Sequence, residues 1–217
     1  RRSRHSKQTN KRWAEGQAKA RILRATTTLR GKKMKSSTII GGKSPKNNRN
    51  ASDFYATPPE CTIALIDRFE HLFRGGRIWE PACGNGAISK VLEERNFRVI
   101  STDLHDRGYG EGGMNFLNSD CQCDGIITNP PFNLAAEFIQ KCAAKEVPFA
   151  MLTKATFWHA AKRHRLFRQT KPMAIMAMTW RPAMSPERGK SATMDFIWTV
   201  WGRRPCLVTE YILAAKP

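Results

Sequence analysis

One stretch limits the folds open to this chain more than any other. The run Arg77-Ile78-Trp79-Glu80 breaks into Pro81-Ala82-Cys83-Gly84-Asn85-Gly86, and Ile88, Val91 and Leu92 then share one helical face over residues 87–94. Strand, glycine-rich turn and helix form the first unit of an open α/β sheet, and such a turn brings backbone N–H groups to the strand's mouth. A dinucleotide-binding loop would place a third glycine where Ser89 stands, and no Lys-Ser/Thr pair follows as a triphosphate loop requires. The next strand, Arg98-Val99-Ile100-Ser101-Thr102, ends in Asp103, a carboxylate placed to accept a ribose diol or simply to sit in a loop. Asn115-Phe116 then marks the expected end of a third strand, suited to an adenine ring.

A second strand mouth carries a more particular set of residues. Ile126-Ile127-Thr128 runs into Asn129-Pro130-Pro131-Phe132, and a helix-like segment follows over 134–143. Taken alone, Asn-Pro-Pro is an ordinary strand-ending turn. It also suits transfer of a group to an exocyclic amine on a planar ring, whose lone pair is delocalised and weakly nucleophilic. The Asn129 side-chain oxygen and the Pro130 carbonyl can each accept one N–H, turning the nitrogen toward tetrahedral geometry. Two prolines fix those acceptors in advance, and Phe132 offers a face for a base to stack on.

These segments together resemble the S-adenosylmethionine-dependent amino-methyltransferases, above all the DNA adenine-N6 methyltransferases. Glu80-Pro81-Ala82-Cys83-Gly84-Asn85-Gly86 is similar to their cofactor loop, Asp103 to their ribose-binding acid, and Asn129-Pro130-Pro131-Phe132 to their catalytic motif. Phe54-Tyr55-Ala56-Thr57-Pro58-Pro59-Glu60 resembles the segment that closes over the methionine end of the cofactor, while Thr57 also reads as a helix cap. The motif order looks like the γ arrangement of that family. The resemblance implies catalytic roles for Asn129, Pro130, Pro131 and Phe132. It implies cofactor contacts from Tyr55, Thr57, Pro58, Glu80, Ala82, Cys83, Gly84, Gly86, Asp103, Leu104, Asn115, Phe116 and Asn129. The family often has Asp where this chain has Asn115, and little length follows the catalytic motif for a separate target-recognition domain. The implied reaction is methylation of adenine N6 in DNA. RNA adenine-N6 methylation, protein glutamine-N5 methylation and a non-catalytic nucleic-acid-binding protein are the alternatives.

The late segments Pro148-Phe149-Ala150-Met151-Leu152, residues 173–178, 194–201 and 207–213 read as strands joined by short links. The expected fold is therefore α/β and Rossmann-like, a mostly parallel sheet with an antiparallel end and helices on both faces. Between those strands, residues 154–171 carry Lys154, Lys162, Arg163, Arg165 and Arg168 interleaved with Phe157, Trp158 and Phe167. That is either a backbone-tracking, base-stacking surface or an amphipathic helix with aromatics in the core. Arg181, Arg188 and Lys190 mark a loop that also suits nucleic acid, and Trp180 at its start is either pocket or core.

The formal charge of +19 is unevenly spread. Residues 1–50 hold sixteen Lys/Arg and one acid, Glu15, whereas residues 51–217 hold 21 and 17. The first segment reads as a disordered basic arm, or at most a short helix around residues 12–24, which raises salt-sensitive affinity for phosphate backbones. Met34-Lys35-Ser36-Ser37 also resembles a natural start, so residues 1–33 have a second reading as upstream or fused sequence. Residues 51–217 suit one domain. No apolar run is long enough for a membrane span. The six cysteines form no Cys-x-x-Cys pair and the five histidines are scattered, so neither disulfides nor a metal site is expected. The expected setting is a bacterial or phage-infected cytoplasm. The expected partner is DNA, with RNA as the alternative, and the expected state is a monomer with a dimer left open.

Overall fold

The computed structural model describes residues 55–184 and 194–217. The expectations for residues 1–50, and those for Phe54, Arg188 and Lys190, lie outside these described residues. Helix α1 (Pro59–Phe73) begins with proline at its first positions, where the missing N–H has no helical partner and the fixed φ already fits. Cys61, Leu65, Phe69 and Phe73 recur at four-residue spacing and face the core together with Ile66. Thr57 does not cap this helix, because its hydroxyl is engaged elsewhere.

Strand β1 (Arg77–Glu80), helix α2 (Ala87–Glu94) and strand β2 (Arg98–Ser101) follow as one parallel β-α-β unit. Next come β3 (Gly125–Thr128), α3 (Ala135–Ala144) and β4 (Phe149–Lys154). Two short 3-10 turns, Ala155–Trp158 and Ala161–Arg163, lead into α4 (His164–Gln169) and then β5 (Ala174–Met178). The chain closes with β6 (Phe196–Trp201) and β7 (Glu210–Ala214). Residues 154–171 thus hold only a six-residue helix, not one long amphipathic one.

The seven strands form one sheet in the order β2-β1-β3-β4-β6-β5-β7. Six run parallel, and β6 is inserted antiparallel between β4 and β5. The sheet is therefore mostly parallel with its antiparallel element in the late half, and the edge strand β7 is itself parallel to β5. Chain growth reverses direction at β1, which puts a topological switch point between β1 and β3. Open α/β sheets bind ligands at that crevice.

Alternation along the strands divides the core between the two faces. Ile78, Ile127, Leu152 and Trp198 pack with Leu65, Phe69 and Phe73 of α1 and Ile88 and Leu92 of α2. Trp79, Ile126, Met151 and Trp201 pack with Phe138 and Ile139 of α3 and Leu166 of α4. The two most buried tryptophans keep their N–H groups satisfied, Trp79 donating to Thr102 Oγ1 at 2.9 Å and Trp198 to Cys61 O at 2.8 Å.

The third strand expected before Asn115 does not form. Between β2 and β3 there is only an isolated bridge from Thr102 to Glu111. Gly108, Gly110 and Gly113 all adopt positive φ there, a conformation no strand sustains, so the chain loops over the strand mouths instead. No described helix is long and apolar enough to cross a membrane.

Candidate functional site

Glu80, Asp103, Asn129 and Lys154 stand at or just beyond the C-terminal ends of β1, β2, β3 and β4, so four strand tips deliver polar side chains to one edge of the sheet. Glu80, Asp103 and Asn129 line one cavity of about 240 Å³, together with Tyr55, Ala56 and Thr57 from the segment before α1.

The glycine-rich turn holds the first wall. Gly84 (φ 58) donates its N–H to Asp103 Oδ2 at 2.9 Å, and His105 N–H donates to Oδ1 at 2.8 Å. The carboxylate is thereby fixed in orientation, and each oxygen retains a second lone pair. Gly86 (φ 80) starts α2, and a Cβ on it would lie 2.4 Å from the Tyr109 ring, so side-chain-free backbone is needed there twice over. Tyr109 in turn donates its hydroxyl to Glu93 of α2 at 3.0 Å.

Glu80 is almost wholly buried, and its carboxyl accepts both the N–H (2.9 Å) and the hydroxyl of Ser89. Burial pushes its pKa up to about 8, against the opposing effect of the Ser89 hydrogen bonds and with a smaller upward push from Asp103. Ser89 therefore has its own task where a dinucleotide fold would carry glycine. Its pairing with Glu80 had no signal in the sequence beyond a spacing of nine residues. Cys83 adds apolar wall: burial, then the Glu80 and Asp103 carboxylates, push its thiol up to about 12.

The second wall is the Asn129-Pro130-Pro131-Phe132 turn. Asn129 Nδ2 donates to Tyr55 O at 3.2 Å and to Thr57 Oγ1 at 3.1 Å, which uses both of its hydrogens. Asn129 Oδ1 is buried and has no hydrogen-bond partner. The Phe132 ring stacks on Tyr55 (centroids 5.3 Å, 25°) and tilts against Phe196 (5.8 Å, 41°), with Lys154 Nζ 4.0 Å from its centroid. The sequence marks Phe196 only as part of a strand. It reaches the site because β6 runs antiparallel to β4 and sets Phe196 opposite Lys154.

Tyr55, Thr57, Glu80, Ala82, Cys83, Asp103, Leu104, Asn115 and Phe116 all line this cavity with residues 129–132. Phe116 is nearly inaccessible and packs on Trp79 and Phe138, so it forms the floor more than a strand-end cradle. Pro58 is spent on the start of α1 and does not line the cavity. Of the basic set, Lys162, Arg163 and Arg165 gather in a neighbouring groove, while Arg168 is exposed outside it. Arg181 is paired with Asp195 at 2.8 Å, and Trp180 packs against the core. Among the described residues no group of three or more His, Cys, Asp or Glu could hold a metal ion. The described cysteines are all free thiols.

No protein-family model matches this sequence, and no curated protein matches it. Solved structures do match its fold. One, from Listeria monocytogenes and described as a class I S-adenosylmethionine-dependent methyltransferase, superposes with a TM-score of 0.55 at 13% identity, over 78% of this chain and 68% of that one. A modification subunit described as belonging to a type I restriction enzyme of Vibrio vulnificus gives 0.54 at 14% identity, over 76% of this chain and 48% of that one. A Pyrococcus horikoshii protein described as an RNA methyltransferase gives 0.50 at 12%, over 76% and 93%. The chain thus spans about half the length of the restriction subunit it resembles. The fold is the Rossmann-like one these methyltransferases share.

Proposed function

We propose that this protein transfers a methyl group from S-adenosylmethionine to the exocyclic N6 amino group of adenine in DNA. The observation that carries the reading is Asn129 Oδ1, a buried acceptor left without a partner beside a cavity. An unpaired acceptor on a residue of the cavity wall is a place where a ligand N–H can complete the hydrogen bonding. With both Nδ2 hydrogens committed to Tyr55 and Thr57, the amide is held with its oxygen as the available group.

The cavity suits a nucleoside. Two carboxyl groups, Glu80 and Asp103, stand among the apolar walls of Ala82, Cys83, Leu104 and Phe116. In this reading Asp103 accepts the ribose hydroxyls, the buried Glu80 carboxyl holds the loop through Ser89, and Tyr55 and Thr57 close the methionine side. S-adenosylmethionine would supply an electrophilic sulfonium methyl group, whose S–C bond breaks as the N–C bond forms, leaving a neutral thioether. Asn129 Oδ1 and the Pro130 carbonyl each accept one N–H of the target amine and turn its lone pair out of the ring plane. Phe132 stacks on the base, which reaches the site only outside a base-paired stack. The extra proton on the methylated amine passes to water. Fixed acceptors and fixed orientation supply the catalysis.

RNA adenine shares this chemistry, and so does the assay that separates the two. Radiolabelled methyl transfer to unmethylated DNA and to matched RNA, with the modified nucleoside identified by mass spectrometry, is the test. N6-methyladenine in DNA that disappears in Asn129→Ala is the expected result. Label confined to RNA moves the substrate, and label in neither nucleic acid overturns the reading.

A further inference from the structure

Next to the catalytic turn lies a second concavity of about 440 Å³, between α3, the 3-10 turns and α4. It adjoins the first cavity, with Phe132 and Asn133 lining both. Its walls carry Lys162, Arg163 and Arg165, the amides of Gln140 and Gln169, and a single carboxylate, Glu137. Lys162 and Arg165 are exposed, and neither appears in an ion pair among the described residues. A net positive groove of this kind suits a polyanion.

Arg163 differs from the other two cations. Its Nη1 donates to Phe157 O at 2.7 Å, and its guanidinium carbon lies 4.0 Å from the Phe157 ring centroid. Behind it, Trp158 and Phe167 stack with centroids 3.9 Å apart and planes 9° apart. Phe157 meets Phe167 edge-on at 5.8 Å. The guanidinium is therefore backed by a rigid aromatic layer. A guanidinium held against an aromatic ring on one face is a stacking platform for a nucleobase on the other.

From this geometry we infer that the groove is a subsite for the nucleotide adjacent to the target base on the same strand. Lys162 and Arg165 meet its phosphates, its base stacks on Arg163, and Gln140 or Gln169 reads the base edge. A base on Arg163 cannot also be stacked in a duplex, so the preferred substrate is a single-stranded or locally unstacked nucleic acid. This rests on the methyltransferase reading of the adjoining cavity.

The test is anisotropy of a labelled single strand, and of the same sequence as a duplex, across a salt series. The single strand is expected to bind more tightly than the duplex. Lys162→Ala/Arg165→Ala should weaken single-strand binding by roughly tenfold and shrink the log-log salt slope by about 1.4, for two lost phosphate contacts. Arg163→Lys should weaken binding severalfold while leaving the slope unchanged, because it keeps the charge and loses only the plane; a merely structural role would move both. Affinity for S-adenosylmethionine, measured by calorimetry, should be unaltered in these variants. Unchanged single-strand affinity in the double variant overturns the subsite, and equal or tighter duplex binding overturns the preference for an unstacked strand. Binding lost in the double variant with no methyl transfer by the parent would sink the catalytic reading and leave the groove standing. Methyl transfer with an unaltered KM in the double variant would do the reverse.

Discussion

Thr57 Oγ1 accepts a hydrogen bond from Asn129 Nδ2 at 3.1 Å across 72 residues of sequence, one of two contacts that hold the Asn129 amide in place. Tyr55 O takes the other Nδ2 hydrogen, so the segment before α1 sets the orientation of a side chain at the end of β3. Thr57→Val keeps the shape and removes the acceptor. One net hydrogen bond is worth about 1 kcal/mol, so the methyl-transfer rate should fall by roughly five- to tenfold, with a smaller change in cofactor affinity because valine still walls the cavity. Thr57→Ser should stay near the parent rate. Asn129→Ala removes the acceptor itself and should cost a hundredfold to a thousandfold or so, on the scale of losing one preorganised group. Single-turnover rates beside calorimetric cofactor affinities separate these effects, and equal rates for the Val and Ser variants would remove the hydroxyl from the argument.

The Glu80 carboxyl makes stability depend on pH in an unusual direction. Its pKa rises from 4.5 to about 8 because burial penalises the charged form. Between those values the folded state holds a proton that the unfolded state has released. Stability from this group is thus full below pH 4.5 and declines as pH rises toward about 8, by as much as about 1.4 kcal/mol per pH unit. Glu80→Gln keeps an acceptor for the Ser89 N–H and hydroxyl but does not ionise. Urea denaturation midpoints from pH 5 to pH 8 should fall more steeply for the parent than for this variant. Parallel curves would mean that Glu80 ionises normally in the fold.

Much of this architecture could be read from the sequence, for identifiable reasons. Gly84, Gly86, Asp103 and residues 129–132 sit at strand ends, where a local pattern of apolar run, turn and helix also fixes position in space. Helix α2 falls on residues 87–94 as its apolar spacing implied. The misses are long-range. Ser89 meets Glu80, Phe196 meets Phe132, and Thr57 meets Asn129 only through the packing of separate elements. The third strand expected to end at Asn115-Phe116 is a different case: the positive-φ glycines before it leave only an isolated bridge.

Gly86 provides a test of the turn that shapes the cavity. A side chain there would be held at φ 80 and driven to 2.4 Å from the Tyr109 ring. Gly86→Ala should therefore combine a left-handed backbone penalty of roughly 1–2 kcal/mol with a steric one. Tyr109→Ala in the same chain removes the obstruction and leaves the backbone penalty. The double variant should thus be more stable than additivity of the single variants predicts, by thermal or urea unfolding. Simple additivity would show that the loop carrying Tyr109 moves aside at no cost.

Phe132 has two partners whose loss would read differently. Tyr55 stacks on the ring and Lys154 Nζ lies 4.0 Å from its centroid, so a base arriving at Phe132 takes up a surface now shared with a cation. Base-aromatic stacking is worth about 1–3 kcal/mol, which sets the expected rise in KM for Phe132→Leu at roughly fivefold to more than a hundredfold. Phe132→Tyr preserves the face and should leave KM within about twofold of the parent. Lys154→Met removes the cation while keeping most of the stem. If Lys154 competes with the base for the ring, this variant lowers KM; if the ammonium itself holds the base or its phosphate, KM rises and its salt dependence weakens. Steady-state KM in two salt concentrations distinguishes the outcomes. An unchanged KM in Phe132→Leu would remove the ring from substrate binding and confine it to packing on Tyr55 and Phe196.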